Sequence, residues 1–325
     1  MQGRLFTLLD VAFPSYFVLL LAGFVFATAM GALWARRIGH DPDVIVDLGL
    51  AMLLAGVAGA RLLHVVADGY FWDYVHLCTQ PELVEWKISR AECLRVSDPG
   101  TWGALLGDEG GARGRWDEAA NVCRPVNADC WAWARFWSGG LTYYGGFLGA
   151  SAAAWYLLRA DRFPFWKAAD MAGLVVPVGL GFGRMGCLLA GCCFGQPWDS
   201  PGALVFPPGS AASEAEYRLG LLESSRLPSL PVHPSQLYEA AASLTIAGVL
   251  LFWLHGRKRY DGHVFLAFVG LYAAARFVIE WSRADDRGGL LGLSTSQLIG
   301  LGLVGLAWLL HMRFHAKSVA APAKL

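Results

Sequence analysis

Charged residues are scarce in this chain, and none of its basic runs is long enough to suggest nucleic-acid binding. Of its 325 residues, 16% are charged, with 26 Lys and Arg against 26 Asp and Glu, whereas 55% are hydrophobic. A globular protein this apolar would lack the polar surface that it needs. The 39 Gly and 14 Trp suit membrane helices, in which Gly is frequent and Trp collects at the interfaces. We therefore expect an integral membrane protein without a nucleic-acid partner.

An internal repeat is also lacking, but seven apolar runs are present. A membrane-spanning helix needs about 20 mainly apolar residues. The predicted spans cover residues 13–35, 44–67, 138–159, 169–191, 235–255, 262–282 and 294–313. The first run is too long for a signal peptide, and its basic flank, Arg36 and Arg37, follows it. The sequence predicts an all-α polytopic membrane protein with seven transmembrane helices, organised as one membrane domain over residues 1–325.

Basic residues in the short connections predict the orientation. The connections after spans one, three and five, and the tail after span seven, carry Arg, Lys and His. Cytoplasmic loops are enriched in Lys and Arg, so we expect the N-terminus outside and the C-terminus in the cytoplasm. The long segments 68–137 and 194–234 are then extracytoplasmic. The tail, 314–325, is expected to be disordered.

The seven cysteines form two sets. The first lies in the polar segment 68–137 and comprises Cys78, Cys93, Cys123 and Cys130. An even set facing an oxidising compartment predicts disulfides, and four cysteines allow three pairings. The second set comprises Cys187, Cys192 and Cys193. Because the adjacent Cys192 and Cys193 are too close to form a metal site by themselves, we expect packing residues, or else redox or acyl-accepting groups, and no metal or cofactor.

A polar stripe runs along the sixth predicted span. Tyr272, Arg276, Glu280 and Arg283 are spaced so that they share one face of a helix. The rest of that helix is apolar, so the stripe should face other helices. A structural Arg–Glu pair is one interpretation. Two arginines against a single carboxylate favour the other, a site for an anionic ligand.

Further polar residues interrupt other spans. In span four, Arg184 follows Gly183 and is either a phosphate ligand or an arginine reaching the interface. Span five opens with His233-Pro-Ser-Gln-Leu-Tyr-Glu239, and span three with Gly139-Gly-Leu-Thr-Tyr-Tyr-Gly-Gly146. A single tyrosine at such a position is more often an interfacial anchor than a catalyst. Span two contains Asp47, Arg61 and His64, and an isolated polar residue there is more often a packing or hydrogen-bonding device.

In this order, the motifs resemble those of the prolipoprotein diacylglyceryl transferase family. The matching segments extend from about residue 45 to 310 and are Gly-Ala-Arg at 59–61, the paired glycines at 139–146, Gly-Arg-Met-Gly at 183–186, the heptapeptide 233–239, and Tyr-Ala-Ala-Ala-Arg-Phe-Val-Ile-Glu at 272–280. The resemblance implies transfer of the diacylglyceryl group of phosphatidylglycerol to the lipobox cysteine of a preprolipoprotein. A thioether forms and glycerol phosphate leaves. It also implies a monomer in the bacterial inner membrane, with phosphatidylglycerol and preprolipoprotein signal peptides as partners.

The resemblance also implies site residues. Arg276 and Arg184 are expected to hold the phospholipid headgroup and the leaving phosphate, and Tyr272 and Glu280 to orient Arg276 or the substrate. Tyr144 is also expected in the catalytic site, at a position where better-known members have a histidine. The residues expected to bind substrate are Arg61, His233, Gln236, Tyr238, Glu239, Gly145, Gly146 and Arg283.

Three departures from the family pattern leave alternatives open. A tyrosine, with an ordinary pKa of about 10, is a poorer base than a histidine. Either Tyr144 only forms hydrogen bonds, or Glu239, Glu280, His64 or His233 takes the proton. Cys187 stands where Asn is frequent and Cys192 where many members carry Glu.

The enlarged segment 68–137 has seven tryptophans and suggests a disulfide-linked lid at the outer membrane surface. We therefore retain two alternatives, a phospholipid-dependent transferase with another acceptor and a non-catalytic lipid-binding or transport protein.

Overall fold

The computed structural model describes residues 4–8, 11–86, 90–94, 96–97, 111–112, 114–136, 140–284, 289–290 and 292–320. Nine helices of eight or more residues occur in these ranges. In chain order they are α1 Ser15–Arg37, α2 Pro42–Ala67, α3 Phe71–Thr79, α4 Tyr143–Ala160, α5 Phe165–Ala190, α6 Ala211–Arg218, α7 Ser235–Gly248, α8 His263–Ile279 and α9 Thr295–Ala320. A π-helical segment, Val249–Leu254, and a 3₁₀ turn, His255–Arg257, extend α7.

The strands are short and pair as four two-stranded sheets. They are β1 Arg4–Leu8 with β2 Val11–Pro14, β3 Val96–Ser97 with β4 Gly111–Ala112, β5 Gly114–Asp117 with β6 Val122–Pro125, and β7 Gly289–Leu290 with β8 Leu293–Ser294. None of these strands contributes to a larger sheet within the described ranges. The predominantly helical fold class is therefore confirmed.

Six helical segments of the described chain are long and apolar enough to cross a membrane. They are Ser15–Arg37, Pro42–Ala67, Phe165–Ala190, Ser235–Arg257, His263–Ser282 and Thr295–Ala316. These coincide with the first, second and last four predicted spans. Many large apolar side chains on them are exposed, such as Phe252 at 85% and Leu54 at 71%, which is expected of surfaces that face lipid. A polytopic membrane protein follows from these features.

The third predicted span is also a helix, but it differs from the other six. It begins at Tyr143 rather than at residue 138, and it is only 18 residues long. Three tyrosines, three glycines and Arg159 dilute its apolar side chains. It is therefore not among the segments that qualify as spans by length and composition.

The chain divides into two compact units. The first comprises Met1–Leu8, Ala12–Val46 and Phe163–Leu325, and the second comprises Leu9–Val11 and Asp47–Arg162. In the first unit, α5 packs against α1, α7 and α8. Glycines permit these close approaches, because a Cβ at Gly181 would lie only 2.8 Å from the side chain of Leu244.

A buried aspartate fixes the start of α8 in the first unit. Asp170, on α5, is fully buried, and its Oδ1 accepts hydrogen bonds from the backbone nitrogens of Val264 (2.9 Å) and Phe265 (3.2 Å). Its Oδ2 lies 3.2 Å from Lys258 Nζ. The carboxylate thus satisfies two of the N–H groups that the first turn of a helix leaves without partners.

In the second unit, α2 packs against α4 through glycines. A Cβ at Gly59 would clash with the Gly145 carbonyl oxygen, and one at Gly149 would clash with the Ala55 carbonyl oxygen. Small residues on both helices therefore let the two backbones approach closely. The second glycine pair of the motif, Gly145 and Gly146, is therefore in part a packing device.

Two disulfides cross-link the segment between α2 and α4. They join Cys78 to Cys130 and Cys93 to Cys123. The expected disulfide framework is thus confirmed, and the pairing is one of the three that the sequence allowed. Arg124, on β6, adds an ion pair to Asp117 at 2.8 Å across the β5–β6 hairpin.

The C-terminal tail, which was expected to be disordered from residue 314, is helical over part of its length. Helix α9 continues to Ala320, so residues 314–320 are helical rather than disordered, whereas residues 321–325 lie outside the described part of the chain. Aromatic contacts hold the extension, since the Phe314 ring lies 4.8 Å from that of Trp166 and 5.7 Å from that of Tyr260.

Candidate functional site

Glu239 lies at the centre of a cluster of arginines in the first unit. Its Oε2 is 2.7 Å from Arg184 Nη2, and its Oε1 is 2.8 Å from Arg283 Nη1 and 3.6 Å from Arg276 Nη1. The side chains of Glu239 and Arg283 are each only 2% exposed. Buried charges require such pairing, because an isolated charge in an apolar interior is very costly.

A second carboxylate completes this cluster. Arg276 Nη2 lies 2.5 Å from Glu280 Oε2, one turn further on at the C-cap of α8. Ser294 Oγ, in β8 just before α9, donates to Glu280 Oε1 at 2.8 Å. The five side chains of Arg184, Glu239, Arg276, Glu280 and Arg283 thus place three guanidinium groups beside two carboxylates, and we call them the arginine cluster. Tyr272 is close enough to Arg184 for electrostatic interaction.

Backbone contacts with the segment after α5 hold the chain on either side of Arg283. Arg283 does not continue the helix as its spacing predicted, because the chain leaves α8 through a 3₁₀ turn, Glu280–Ser282. Its backbone is extended and forms a bridge with Gly195. A Cβ at Gly195 would lie 2.5 Å from the Cβ of His233. A larger residue at position 195 would therefore push this segment away from the segment that carries His233. Gln196 N also donates to the Ser282 carbonyl at 2.8 Å.

The heptapeptide 233–239 has a positioning role besides supplying Glu239. Ser235 Oγ donates to the Cys193 carbonyl at 2.7 Å, and Gln236 Nε2 donates to the Cys192 carbonyl at 2.8 Å. Both side chains are fully buried. They therefore fix the turn after α5, which sequence reasoning did not anticipate because the partners are more than 40 residues away.

His233 and Tyr238 lie at the edge of the heptapeptide. The His233 ring stacks on Trp198 with centroids 4.2 Å apart, and its Nδ1 is 3.3 Å from the Tyr238 hydroxyl. Gly195 N donates to the His233 carbonyl at 3.0 Å. These contacts hold the imidazole against the loop that carries Trp198, a residue that the sequence did not single out.

Three free thiols lie beside the arginine cluster. The Sγ atoms of Cys187, Cys192 and Cys193 all lie within 4.8 Å of one another, and none is in a disulfide. Hydrogen bonds from Cys187 and then Cys192, reinforced by Arg184 and Arg283, lower the pKa of Cys193. The neighbouring thiols raise the pKa of Cys192. One thiolate is therefore stabilised within this group, which we call the thiol cluster.

The turn that brings the thiols together lies at the C-terminus of α5. Gly191 has φ +73°, its N–H donates to the Leu188 carbonyl, and Cys192 N donates to the Cys187 carbonyl. These are the two hydrogen bonds of a Schellman motif, which favours glycine because of the positive φ. The motif places Cys192 next to Cys187, five residues earlier.

The remaining predicted site residues lie in the second unit. Arg61 is buried and donates to the carbonyls of Ala132 (2.6 Å), Trp133 (2.7 Å) and Gly140 (3.1 Å). These contacts are those of a residue that anchors the loop before α4. Tyr144 is 58% exposed, and within the described ranges no hydrogen bond to its hydroxyl is found.

His64 and the two glycines of α4 also have structural partners. His64 Nδ1 lies 2.9 Å from Asp68 Oδ2, which accepts from Thr142 Oγ1 at 2.7 Å. Thr142 and then His64 lower the pKa of Asp68. Gly145 contacts Gly59, and Gly146 approaches Gly56. The structure thus brings together Arg184, Glu239, Arg276, Glu280 and Arg283, and it assigns packing or anchoring contacts to Arg61, Gly145 and Gly146.

Comparison with known proteins adds independent information. The family model described as prolipoprotein diacylglyceryl transferase matches residues 4–313. A phosphatidylglycerol–prolipoprotein diacylglyceryl transferase of Pseudomonas fluorescens is 36% identical over 193 residues, which is 57% of this chain and 66% of that protein. Proteins with the same name from Nitratidesulfovibrio vulgaris and Clostridium tetani are 35% identical over 225 residues and 23% identical over 301 residues.

The coverage of these relatives differs. The alignment spans 66% of the chain and 76% of the N. vulgaris protein, and 93% of both the chain and the C. tetani protein. For the Pseudomonas relative the chain spans slightly less than two thirds of its length.

Proposed function

Because the chain belongs to the prolipoprotein diacylglyceryl transferase family, we propose that it transfers the diacylglyceryl group of phosphatidylglycerol to the cysteine thiol of a preprolipoprotein. The observation that carries this proposal is the convergence of Arg184, Arg276 and Arg283 on Glu239. Guanidinium groups match phosphate oxygens in geometry and charge. Three of them in one buried place suit a phospholipid headgroup.

The arginine cluster suits the chemistry of this transfer. The thiolate sulfur of the acceptor attacks the glycerol carbon that bears the phosphate oxygen, a C–S bond forms, and the C–O bond breaks. Negative charge then develops on the departing glycerol phosphate. Donors that are already held in place stabilise such charge without reorganisation, and Glu239 and Glu280 hold Arg276 between them.

Individual residues have distinct roles in this proposal. Arg184 and Arg276, at 21% and 12% side-chain exposure, are the more accessible arginines and contact the phosphate. The more deeply buried Arg283 and Glu280 position them, and Tyr272 orients Arg184 or the substrate. Arg61 contributes indirectly, by anchoring the loop before α4.

The proposed topology has seven spans with the N-terminus outside and the C-terminus in the cytoplasm of a bacterial inner membrane. The helical state of α4 supports a seventh span. Two disulfides between α2 and α4 support an extracytoplasmic location for that segment, because disulfides persist in oxidising compartments. Since all members of the arginine cluster come from one chain, the monomer is the proposed working unit.

The segment between α2 and α4 is proposed to act at the outer membrane surface. Trp72, Trp131 and Trp133 are 65%, 70% and 48% exposed, and tryptophan favours the membrane–water interface. In this role the disulfide-linked segment recognises an acceptor or shields the reaction.

Complementation tests the proposed function. A bacterial strain depleted of its own diacylglyceryl transferase should regain growth when it expresses this chain, and a reporter lipoprotein should carry thioether-linked diacylglycerol. Absence of rescue while phosphatidylglycerol is still consumed would instead indicate a different acceptor. Binding of phosphatidylglycerol without its consumption would indicate a non-catalytic protein.

A further inference from the structure

The thiol cluster has the geometry of a metal site with three protein ligands. Its three Sγ atoms all lie within 4.8 Å of one another, and no other such group of His, Cys, Asp or Glu occurs in the part of the chain that the structure describes. Zinc–sulfur bonds of about 2.3 Å in a tetrahedral site separate the sulfurs by about 3.8 Å. Small side-chain rotations would therefore bring all three sulfurs onto one ion.

The backbone that carries these ligands is already fixed. The Schellman turn places Cys192 beside the last turn of α5, and Cys193 has φ +60°, a conformation that non-glycine residues rarely adopt. The buried Ser235 and Gln236 hold the carbonyls of Cys193 and Cys192. A strained residue held by buried hydrogen bonds is typical of functional sites, and a preorganised ligand set is what metal binding requires.

The charges around the cluster also suit three thiolates. Three thiolates and one divalent ion carry a net charge of −1, which is costly in an apolar surrounding. Arg184 and Arg283 both act electrostatically on Cys193, and Arg184 also acts on Cys187. The same arginines belong to the arginine cluster, so the two clusters are adjacent.

We propose that Cys187, Cys192 and Cys193 bind one divalent ion of the zinc type through three thiolates, and that the ion's fourth position takes the sulfur of the acceptor cysteine. The second half of this inference rests on the proposed function. Structural zinc sites have four protein ligands, whereas catalytic sites have three and an open position. A thiol that coordinates such an ion loses its proton.

This assignment supplies what the arginine cluster lacks, a means of ionising the acceptor. The thiolate is the reactive form of cysteine, and the candidate base Tyr144 is an exposed phenol. On binding, the acceptor S–H releases its proton to solvent. The sulfur then forms the C–S bond, the C–O bond breaks, and the electron pair leaves with glycerol phosphate. No oxidant or reductant is consumed, and the neutral thioether, a weak ligand, dissociates.

Metal stoichiometry of the full chain in detergent tests the site itself. After incubation with Zn²⁺ and removal of excess ion, we expect one Zn²⁺ per chain and X-ray absorption showing three or four sulfurs at about 2.3 Å. Cys192→Ser should lower the Zn²⁺ affinity more than tenfold. The double variant Cys78→Ser/Cys130→Ser, which removes two sulfurs elsewhere, should retain it. No bound zinc, equal affinity in Cys192→Ser, or a disulfide among the three cysteines of the protein as purified would overturn the site.

Stripping the wild-type chain with a chelator tests the activating role without depending on how a variant folds. We expect transfer to a lipobox peptide to fall more than tenfold and to return when Zn²⁺ is added back. Undiminished transfer by the stripped protein would overturn the activating role while leaving the proposed function intact. Absence of transfer by the zinc-loaded protein would overturn both that role and the proposed function. The metal site itself is tested independently of transfer, by the zinc stoichiometry.

Discussion

Arg283 Nη1 lies 2.8 Å from Glu239 Oε1, and both side chains are 2% exposed. Residues 44 positions apart thus form a buried ion pair, and Arg184 and Arg276 approach the same carboxylate. Glu239 is therefore the residue that allows three guanidinium groups to lie together in one place.

Replacing this carboxylate should destabilise the fold. Glu239→Gln leaves the arginines without their shared counter-charge, and removal of one partner of a buried pair costs about 3–5 kcal/mol. Glu214→Gln is the matched control, because Glu214 pairs with Arg218 at 2.7 Å with both side chains more than half exposed. A surface pair contributes about 0–1 kcal/mol. Denaturation in detergent measures both variants, and equal losses of stability would contradict the central role of Glu239.

Arg276 should be needed for transfer rather than for folding. Arg276→Lys keeps the positive charge but loses the planar donor geometry that matches phosphate. Loss of one such donor typically slows a reaction about 10²–10³-fold, and we expect a loss of this size in the rate of thioether formation. Arg257→Lys is the control, since Arg257 contacts the exposed Trp253 ring at the end of the extended α7. Comparable rates for Arg276→Lys and the wild type would exclude a phosphate-binding role.

The close packing of α2 and α4 should depend on individual glycines. A Cβ at Gly59 would overlap the Gly145 carbonyl oxygen, whereas one at Gly56 would lie 3.5 Å from the Gly146 carbonyl oxygen, an ordinary contact. We expect Gly59→Ala to lower stability by about 1–3 kcal/mol, in the range for overpacked sites, and Gly56→Ala to have little effect. Thermal unfolding of the two variants in the same detergent measures the difference. Similar melting temperatures would contradict the packing described.

Peptide mapping of the non-reduced protein should recover two cross-linked pairs. The expected pairs are Cys78 with Cys130 and Cys93 with Cys123, whereas Cys187, Cys192 and Cys193 should react with a thiol reagent after unfolding. Because the long loops that these bonds close are costly to order, reduction should also make residues 68–137 more sensitive to protease. Four reactive thiols in that segment before reduction would refute the disulfide framework.

Helical spacing was sufficient to predict part of the site. Tyr272, Arg276 and Glu280 recur every four residues, and the structure has Arg276 paired with Glu280 one turn away. The apolar runs likewise predicted six spans to within a few residues at most ends. Both predictions rest on local periodicity, which a single sequence contains.

Tertiary contacts account for what the sequence could not predict. The approach of Arg184 and Arg283 to Glu239 joins segments that are far apart in the chain, so no spacing along one helix reveals it. Cys187 joins Cys192 and Cys193 only because a Schellman turn ends α5 at Gly191. The helical extension to Ala320 is accompanied by packing of Phe314 against Trp166, a contact between residues 148 positions apart in the chain.

The central claim is most directly tested by reconstituting the full chain with phosphatidylglycerol and a lipobox peptide that has a single cysteine. We expect the peptide to gain the mass of a diacylglyceryl group through a base-stable thioether, with one glycerol phosphate released per peptide modified. An unmodified peptide in the presence of zinc-loaded, folded protein, or a product joined through a hydrolysable ester, would contradict it.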